Sequence, residues 1–202
     1  MESIRGRRSV VIDAAVLMER LQGYPQRLFD IGTGDGRFVQ HVARHYRGYF
    51  ALGIDACREN LRVASSKSLC NTLYVIANAC ALPNELHGLA THMTINFPWG
   101  SLLYGLLKGD NKVYAGLAAL GQPGTRLEIR LNGGALAENG WSLEAGIVEV
   151  GCMLRDFGFD VDAPVAINTC ELRKLPTTWA KRLAFGRDPR AVLLNGRRNP
   201  AD

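Results

Sequence analysis

Residues 27–31 (RLFDI) run directly into Gly32-Thr33-Gly34-Asp35-Gly36, and then into 37–44, where Phe38, Val42 and Ala43 recur at helical spacing. A buried strand, a glycine turn and an amphipathic helix in that order predict the start of a β-α-β unit, closed by a second strand at 49–54 (YFALGI). Parallel strands joined this way need helices on both faces of the sheet and collect ligands at their carboxyl ends. The alternation continues with a helix at 58–66, strands at 72–77 and 91–95, helices at 102–107 and 113–120, and a strand at 125–131. A Gly/Asn-rich loop is expected over 132–140, then a helix at 143–157, a strand at 164–170, a short helix at 177–184 and a last strand at 191–194.

A length of 202 residues suits one domain with a substantial core, here 1–202 with an N-terminal extension 1–26 and a basic C-terminal segment 171–202. With 47% apolar and 21% charged residues the composition excludes a disordered chain. The uncharged stretch 86–107 is interrupted by His87, Thr91, His92, Thr94, Asn96 and Pro98, so it reads as strand, turn and helix rather than a bilayer span. Val10-Val11-Ile12 give way at once to Asp13, and no export signal is expected. Five cysteines with no C-x-x-C spacing argue against a disulfide scaffold and against structural zinc, and suit a cytoplasmic protein. Residues 1–170 carry 16 Lys+Arg and 16 Asp+Glu, whereas 171–202 carry 8 and 3, so the net charge of +5 is concentrated in the tail. Such a cluster suits a polyanion such as RNA.

The glycine loop lacks the third glycine of a dinucleotide fingerprint, having Arg37 there. Asp30, Gly32, Thr33, Gly34 and Asp35 instead resemble the cofactor loop of S-adenosylmethionine (SAM)-dependent methyltransferases, where added acidity suits an ammonium. Asp55, closing the second strand with Ala56 beside it, is positioned to accept hydrogen bonds from ribose hydroxyls, or else to cap the helix that follows. Asn78, Ala79 and Cys80, after the third strand, are the candidates for the cofactor's adenine.

Trp99 lies in a Pro/Gly turn after the fourth strand, and Trp179 has Arg182 three residues on, on the same helical face. DIGTGDGRF, FPWGSLL and TTWAKRLAFGR together resemble the kanamycin-apramycin resistance methyltransferases, which methylate N1 of an adenine in the 16S rRNA decoding site. The resemblance implies a Rossmann-like, seven-stranded, mostly parallel α/β sheet, SAM as cofactor and the small ribosomal subunit as partner. It also implies that Trp99 and Trp179 sandwich the flipped adenine beside Thr177, and that Lys181, Arg182, Arg187 and Arg190 contact rRNA. Adenine N1 offers an in-plane lone pair, so the transfer needs alignment and no base.

The chain departs from that pattern in having Cys80 where the family usually has an acid, a short 65–71 segment and a compact link from Asn132 to Trp141. Trp141 lies in no motif and reads as structural. Asn96-Phe97-Pro98-Trp99 bears a faint likeness to the motif of exocyclic-amine methyltransferases, which keeps that chemistry open, together with another RNA target or a non-catalytic SAM- or ribosome-binding role. His41 and His45 share a helical face without a third ligand, and no catalytic metal is expected.

Overall fold

The computed structural model describes residues 1–200. Its centre is five parallel strands in the order β5(Thr72–Ile76), β4(Tyr49–Asp55), β3(Gln26–Ile31), β6(Ala90–Asn96) and β7(Gly121–Asn132). Side chains alternate across this sheet, as the two-residue period of a strand requires. Phe29, Ile31, Phe50, Leu52, Ile54, Leu73 and Val75 enter the larger core. Leu28, Ala51 and Tyr74 enter the second core, beneath α2(Arg37–His45) and α3(Arg58–Ser66). The larger core is covered by α1(Ala14–Leu21), α4(Gly100–Leu107), α5(Asn111–Leu120) and α7(Leu143–Asp156).

Among the described residues the sheet has ten strands, where the sequence reading expected seven. The first 26 residues supply the hairpin β1(Glu2–Arg5) and β2(Arg8–Val11), with β1 antiparallel to β5. At the other edge β10(Ala191–Arg198) runs antiparallel to β7 and carries two three-residue strands, β8(Phe159–Val161) and β9(Val165–Ile167). The expected strand over 164–170 therefore stops early. Asn168 caps α8(Thr169–Lys174) with a capping box closed by Glu171.

The expected loop over 132–140 is corrected in the same way. Asn132 accepts from the Ala135 N–H and starts α6(Gly133–Ala137), so the Gly/Asn composition marks a helix cap as well as a link. α9(Thr178–Gly186), with α8, forms a third cluster around Phe97, Leu172, Ala180 and Leu183 at the carboxyl edge of the sheet.

Chain order reverses between β3 and β6, because β3 leads through α2 to β4 on one side while β6 pairs on its other side. The loops that leave β3 and β6 therefore diverge, and the crevice between them is where an open α/β sheet binds ligands. The glycine loop leaves β3 and the Trp99 turn leaves β6.

Candidate active site

A cavity of about 560 Å³ occupies this crevice, within the range of roughly 300–1,000 Å³ typical of ligand pockets. Its side next to β3 and β4 is held in place largely by backbone hydrogen bonds. Gly32 and Thr33 donate to the Ile54 carbonyl at 2.8 and 3.0 Å, and the Gly34 N–H donates to Asp55 Oδ2 at 2.8 Å, so the loop is fixed to the end of β4. Gly36 opens α2 at φ +69°, and a Cβ there would meet Ala64 Cβ and Tyr74 Cε1 at 2.7 Å. Gly34, at φ +56°, would meet nothing within 4 Å, which leaves an approach to the backbone open.

Asp30 lies at the end of β3 and is 1% exposed. Its Oδ1 accepts from Thr94 Oγ1 at 2.6 Å and from Asn96 Nδ2 at 2.9 Å. Burial pushes its carboxyl above the usual range, against the opposing pull of these hydrogen bonds and the Arg130 charge. The arrangement continues through Asn96 Oδ1, which accepts from Arg130 Nη1 at 2.9 Å, to the Arg130–Glu128 ion pair at 2.6 Å. It ends at His92 Nε2, 3.2 Å from Glu128 Oε1. Burial alone would raise Glu128, but the hydrogen bond shared with His92 and the Arg130 charge hold it at about 2. Asn96 thus turns both ends of its carboxamide to protein partners rather than to a substrate amine.

α3 begins at its N-cap Cys57 without a side-chain cap, so the expected capping role does not fall to Asp55. Oδ2 holds the Gly34 N–H and Oδ1 accepts from the Cys57 N–H at 2.8 Å, yet the carboxylate still lines the cavity with Ala56 and keeps lone pairs for a diol. Asn78 and Ala79 also line it. Cys80 does not: Asn78 Oδ1 accepts its N–H at 2.9 Å, and the thiol turns 3.6 Å from Asp110 Oδ2. Burial and the Asp110 charge raise that thiol. The buried Thr33 hydroxyl borders the cavity and, among the described residues, makes no hydrogen bond of good geometry, although it lies close enough to Asp30 to help hold that carboxyl down. Two carboxylates, a buried hydroxyl and open backbone beside Gly34 fit a ligand bearing an ammonium and a ribose, as SAM does.

The opposite wall is aromatic and cationic. Phe97 is buried at φ +53° before Pro98, a left-handed conformation rare for an aromatic residue, and its N–H donates to the Arg130 carbonyl at 2.9 Å. This kink projects Trp99, which is 41% exposed. Trp99 and Trp179 stack on each other, with centroids 5.4 Å apart and planes 14° from parallel. The guanidinium carbons of Arg182 and Arg187 lie 5.2 and 5.3 Å from the Trp179 ring centroid. Thr177 lines the cavity and also N-caps α9, accepting the Ala180 N–H at 3.0 Å. Thr178 Oγ1 donates to Asp35 Oδ2, joining the cofactor loop to the helix that carries Trp179. Beyond the pair a second pocket of about 270 Å³ is bounded by α6 residues Gly134 and Ala135.

Lys181, Arg182 and Arg187 share one surface with Arg37 and the exposed Phe185. Arg190 is instead held by Asp188 through Nε and Nη2 at 3.0 and 2.6 Å, so its charge is locally compensated. Trp141 packs against the main core under Lys108. Phe97, Arg37, Phe185 and the Asn96–Arg130–Glu128–His92 chain were not anticipated. The available signal for that chain was Glu128 and Arg130 alternating with the apolar Leu127, Ile129 and Leu131 along one strand. The His41 and His45 rings lie 4.1 Å apart, and no group of three or more His, Cys, Asp or Glu among the described residues could hold a metal.

Comparison with known proteins agrees with this architecture. A curated 16S rRNA (adenine(1408)-N(1))-methyltransferase from Escherichia coli is 29% identical over 205 residues, covering 91% of this chain and 92% of that protein. Its counterpart from Streptoalloteichus hindustanus is 29% identical over 229 residues, covering 99% and 100%. The crystal structure of the aminoglycoside resistance methyltransferase NpmB1 superposes with a TM-score of 0.82 at 31% identity, covering 98% of each chain. The family model "NpmA: 16S rRNA (adenine(1408)-N(1))-methyltransferase" matches residues 2–198, and the chain belongs to that family.

Proposed function

We propose that this protein transfers a methyl group from SAM to N1 of adenine 1408 of 16S rRNA in the small ribosomal subunit, and so confers aminoglycoside resistance. The observation that carries the reading is one cavity lined both by the Asp30–Asp35 loop and by Trp99 and Trp179, in a chain matched by that family over nearly its whole length. We assign the site as one unit within a single methyltransferase domain, at work in the cytoplasm.

Bound SAM supplies an electrophilic methyl: the N1 lone pair attacks its carbon, the carbon–sulfur bond breaks, sulfur keeps the pair and the purine gains a positive charge. Asp30 and the backbone of Gly32, Thr33 and Gly34 hold the amino-acid end, Asp55 and Ala56 the ribose, and Asn78 and Ala79 the adenine. Trp99 and Trp179 take the flipped target base between them, which replaces the stacking lost on extrusion and favours the charge that develops on the ring. In the free protein the rings already touch. Two stacking steps, about 7 Å between the outer ring planes, are needed to admit a base, more than the 5.4 Å between the centroids allows, so the pair parts on binding. Lys181, Arg182 and Arg187 neutralise the adjoining phosphates.

The test is incubation with SAM and purified small ribosomal subunits, followed by mapping of reverse-transcription stops. A SAM-dependent stop at adenine 1408 is expected, because N1 methylation blocks the Watson–Crick edge. SAM binding without such a stop would overturn the assignment.

A further inference from the structure

The charge balance of residues 1–170 conceals a local excess at the edge of the sheet opposite the C-terminal segment. Arg5, Arg7 and Arg8 occupy the tip of the β1–β2 hairpin and are exposed. In the hairpin register Arg5 stands opposite Arg8, a like-charge pair that costs stability wherever nothing compensates it. Arg5 also lies close enough to Arg20 to help burial lower that guanidinium's pKa.

The tip is fixed on α3. The Gly6 N–H donates to Ser65 Oγ at 3.0 Å, and Arg58 Nη2 donates to the Arg7 carbonyl at 3.0 Å. Arg58 and Arg62, one helical turn apart, therefore join the hairpin arginines, with Lys67 following at the end of the helix. None of these six cations forms an ion pair with a carboxylate among the described residues. The one acid on α3, Glu59, sits by the Cys57 thiol at 3.6 Å.

The position of the cluster matters as much as its charge. α3 starts at the rim of the cofactor cavity, where Cys57 and Asn60 are part of the lining, while Arg182 lines the same cavity from α9. Cations therefore flank the cavity from two separate elements. Charges on an edge strand also deter edge-to-edge pairing, but that duty requires neither the α3 cations nor an arginine facing an arginine.

Resting on the rRNA reading above, we infer that the hairpin tip and α3 form a second phosphate-binding surface, which holds the backbone of the same subunit's RNA on the far side of the cavity from α9. Phosphate oxygens then supply the counter-charge that the Arg5–Arg8 pair lacks, and the RNA is anchored on both sides of the base being extracted.

The test is equilibrium binding of purified small ribosomal subunits between about 50 and 200 mM salt, for the wild type, for Arg7→Gln/Arg8→Gln, and for Arg47→Gln/Arg126→Gln. The last pair removes equal charge from exposed residues away from the hairpin, Arg47 just before β4 and Arg126 within β7, where its Nη2 donates to Tyr49 Oη at 3.3 Å. Each phosphate contact contributes about 0.9 to the slope of log affinity on log salt. The hairpin variant should lose a slope of about 2, so that over this range its affinity falls roughly tenfold less than the wild type's, while the control variant keeps the wild-type slope. Melting temperature and SAM affinity report whether each variant is folded. A hairpin variant indistinguishable from wild type, or a control that loses as much, overturns the second surface and leaves the rRNA assignment standing. Absence of subunit binding by the wild type overturns that assignment itself.

Discussion

The two walls of the cavity are built on opposite principles. On the cofactor side the glycine loop is fixed to Ile54 and Asp55 by backbone hydrogen bonds, and Asp30 is buried at the head of a chain of four further polar side chains. On the substrate side the groups are large, partly exposed and held by stacking: Trp99 on Trp179, with Arg182 and Arg187 against Trp179. A ligand that arrives in the same shape at every turnover is served by preorganised dipoles. A base that must be pulled out of an RNA stack needs surfaces that can separate and close again, and stacking is tolerant of such movement.

The largest expected effect breaks the rigid wall. Asp30→Ala removes the one buried carboxylate facing the cofactor cavity and leaves the Thr94 hydroxyl and the Asn96 amide without their acceptor. Hydrogen bonds to charged groups contribute about 1.5–3 kcal/mol, so SAM affinity should fall by roughly 10- to 150-fold in calorimetric titration, with subunit affinity measured without SAM nearly unchanged. An equal loss of both affinities would show that the walls are not separable.

The brace beneath that wall should show itself in acid. Glu128 has its folded pKa lowered to about 2 from 4.5, so its contribution is fully present above pH 4.5 and is lost as pH falls towards 2. At 1.36 kcal/mol per unit, discounted for partial exposure, this amounts to ~2–3 kcal/mol. Glu128→Gln should be less stable than wild type by about that amount near pH 7 in urea unfolding, and the gap should close between pH 4.5 and 2. Asp30 at the other end of the chain acts in the opposite sense. Its raised pKa means that the native state takes up the proton first, so this part of the stability is gained as pH falls through it. A constant gap between the two proteins across the acid range would rule out the brace.

On the mobile wall, Trp179→Ala should lower kcat/KM for subunits by roughly 5- to 150-fold, the range for one base–aromatic stack, with SAM affinity within about twofold of wild type. Trp179→Phe should recover most of the loss, since a smaller ring still stacks. Parallel losses in SAM affinity and turnover would indicate a collapsed cavity instead.

Much of the rigid wall was legible in the sequence because its signals are local: strand, glycine turn, helix and an acid at the end of the next strand all lie between Arg27 and Asp55. The Asn96–Arg130 contact was not legible, because it depends on the register of β6 against β7, which pairs those two residues across 34 positions of chain. The edges of the sheet were read only in part: the strands expected over 164–170 and 191–194 are β9 and β10 with other bounds, whereas β8, three residues long, is too short for a period to show and β2 is exposed along its whole length. The tryptophans could be named from their motifs, but their mutual contact is tertiary: it needs the left-handed turn at Phe97, a residue type that gives no warning of positive φ. Cys80 shows the limit of matching by position, since Asn78 Oδ1 holds its N–H and its thiol turns to Asp110 instead of lining the cavity.

The smallest effect tests whether the walls communicate. Asp35 lies in the cofactor loop between Gly34 and Gly36, both at positive φ, and Thr178 immediately precedes Trp179, so their hydrogen bond is a direct link between the two. If an occupied loop favours that link, SAM should raise the affinity for subunits, and linkage requires subunits to raise the affinity for SAM by the same factor. One hydrogen bond at a partly exposed site contributes ~1 kcal/mol, which sets the expected coupling at roughly fivefold. Thr178→Val should abolish that factor while changing each separate affinity little, and Thr178→Ser, which keeps the hydroxyl, should preserve it. Titrating subunits with and without SAM measures the coupling in each protein. Undiminished coupling in Thr178→Val would mean that the walls communicate by another route, such as the Asp30–Asn96 hydrogen bond, which leads directly into the Phe97 turn.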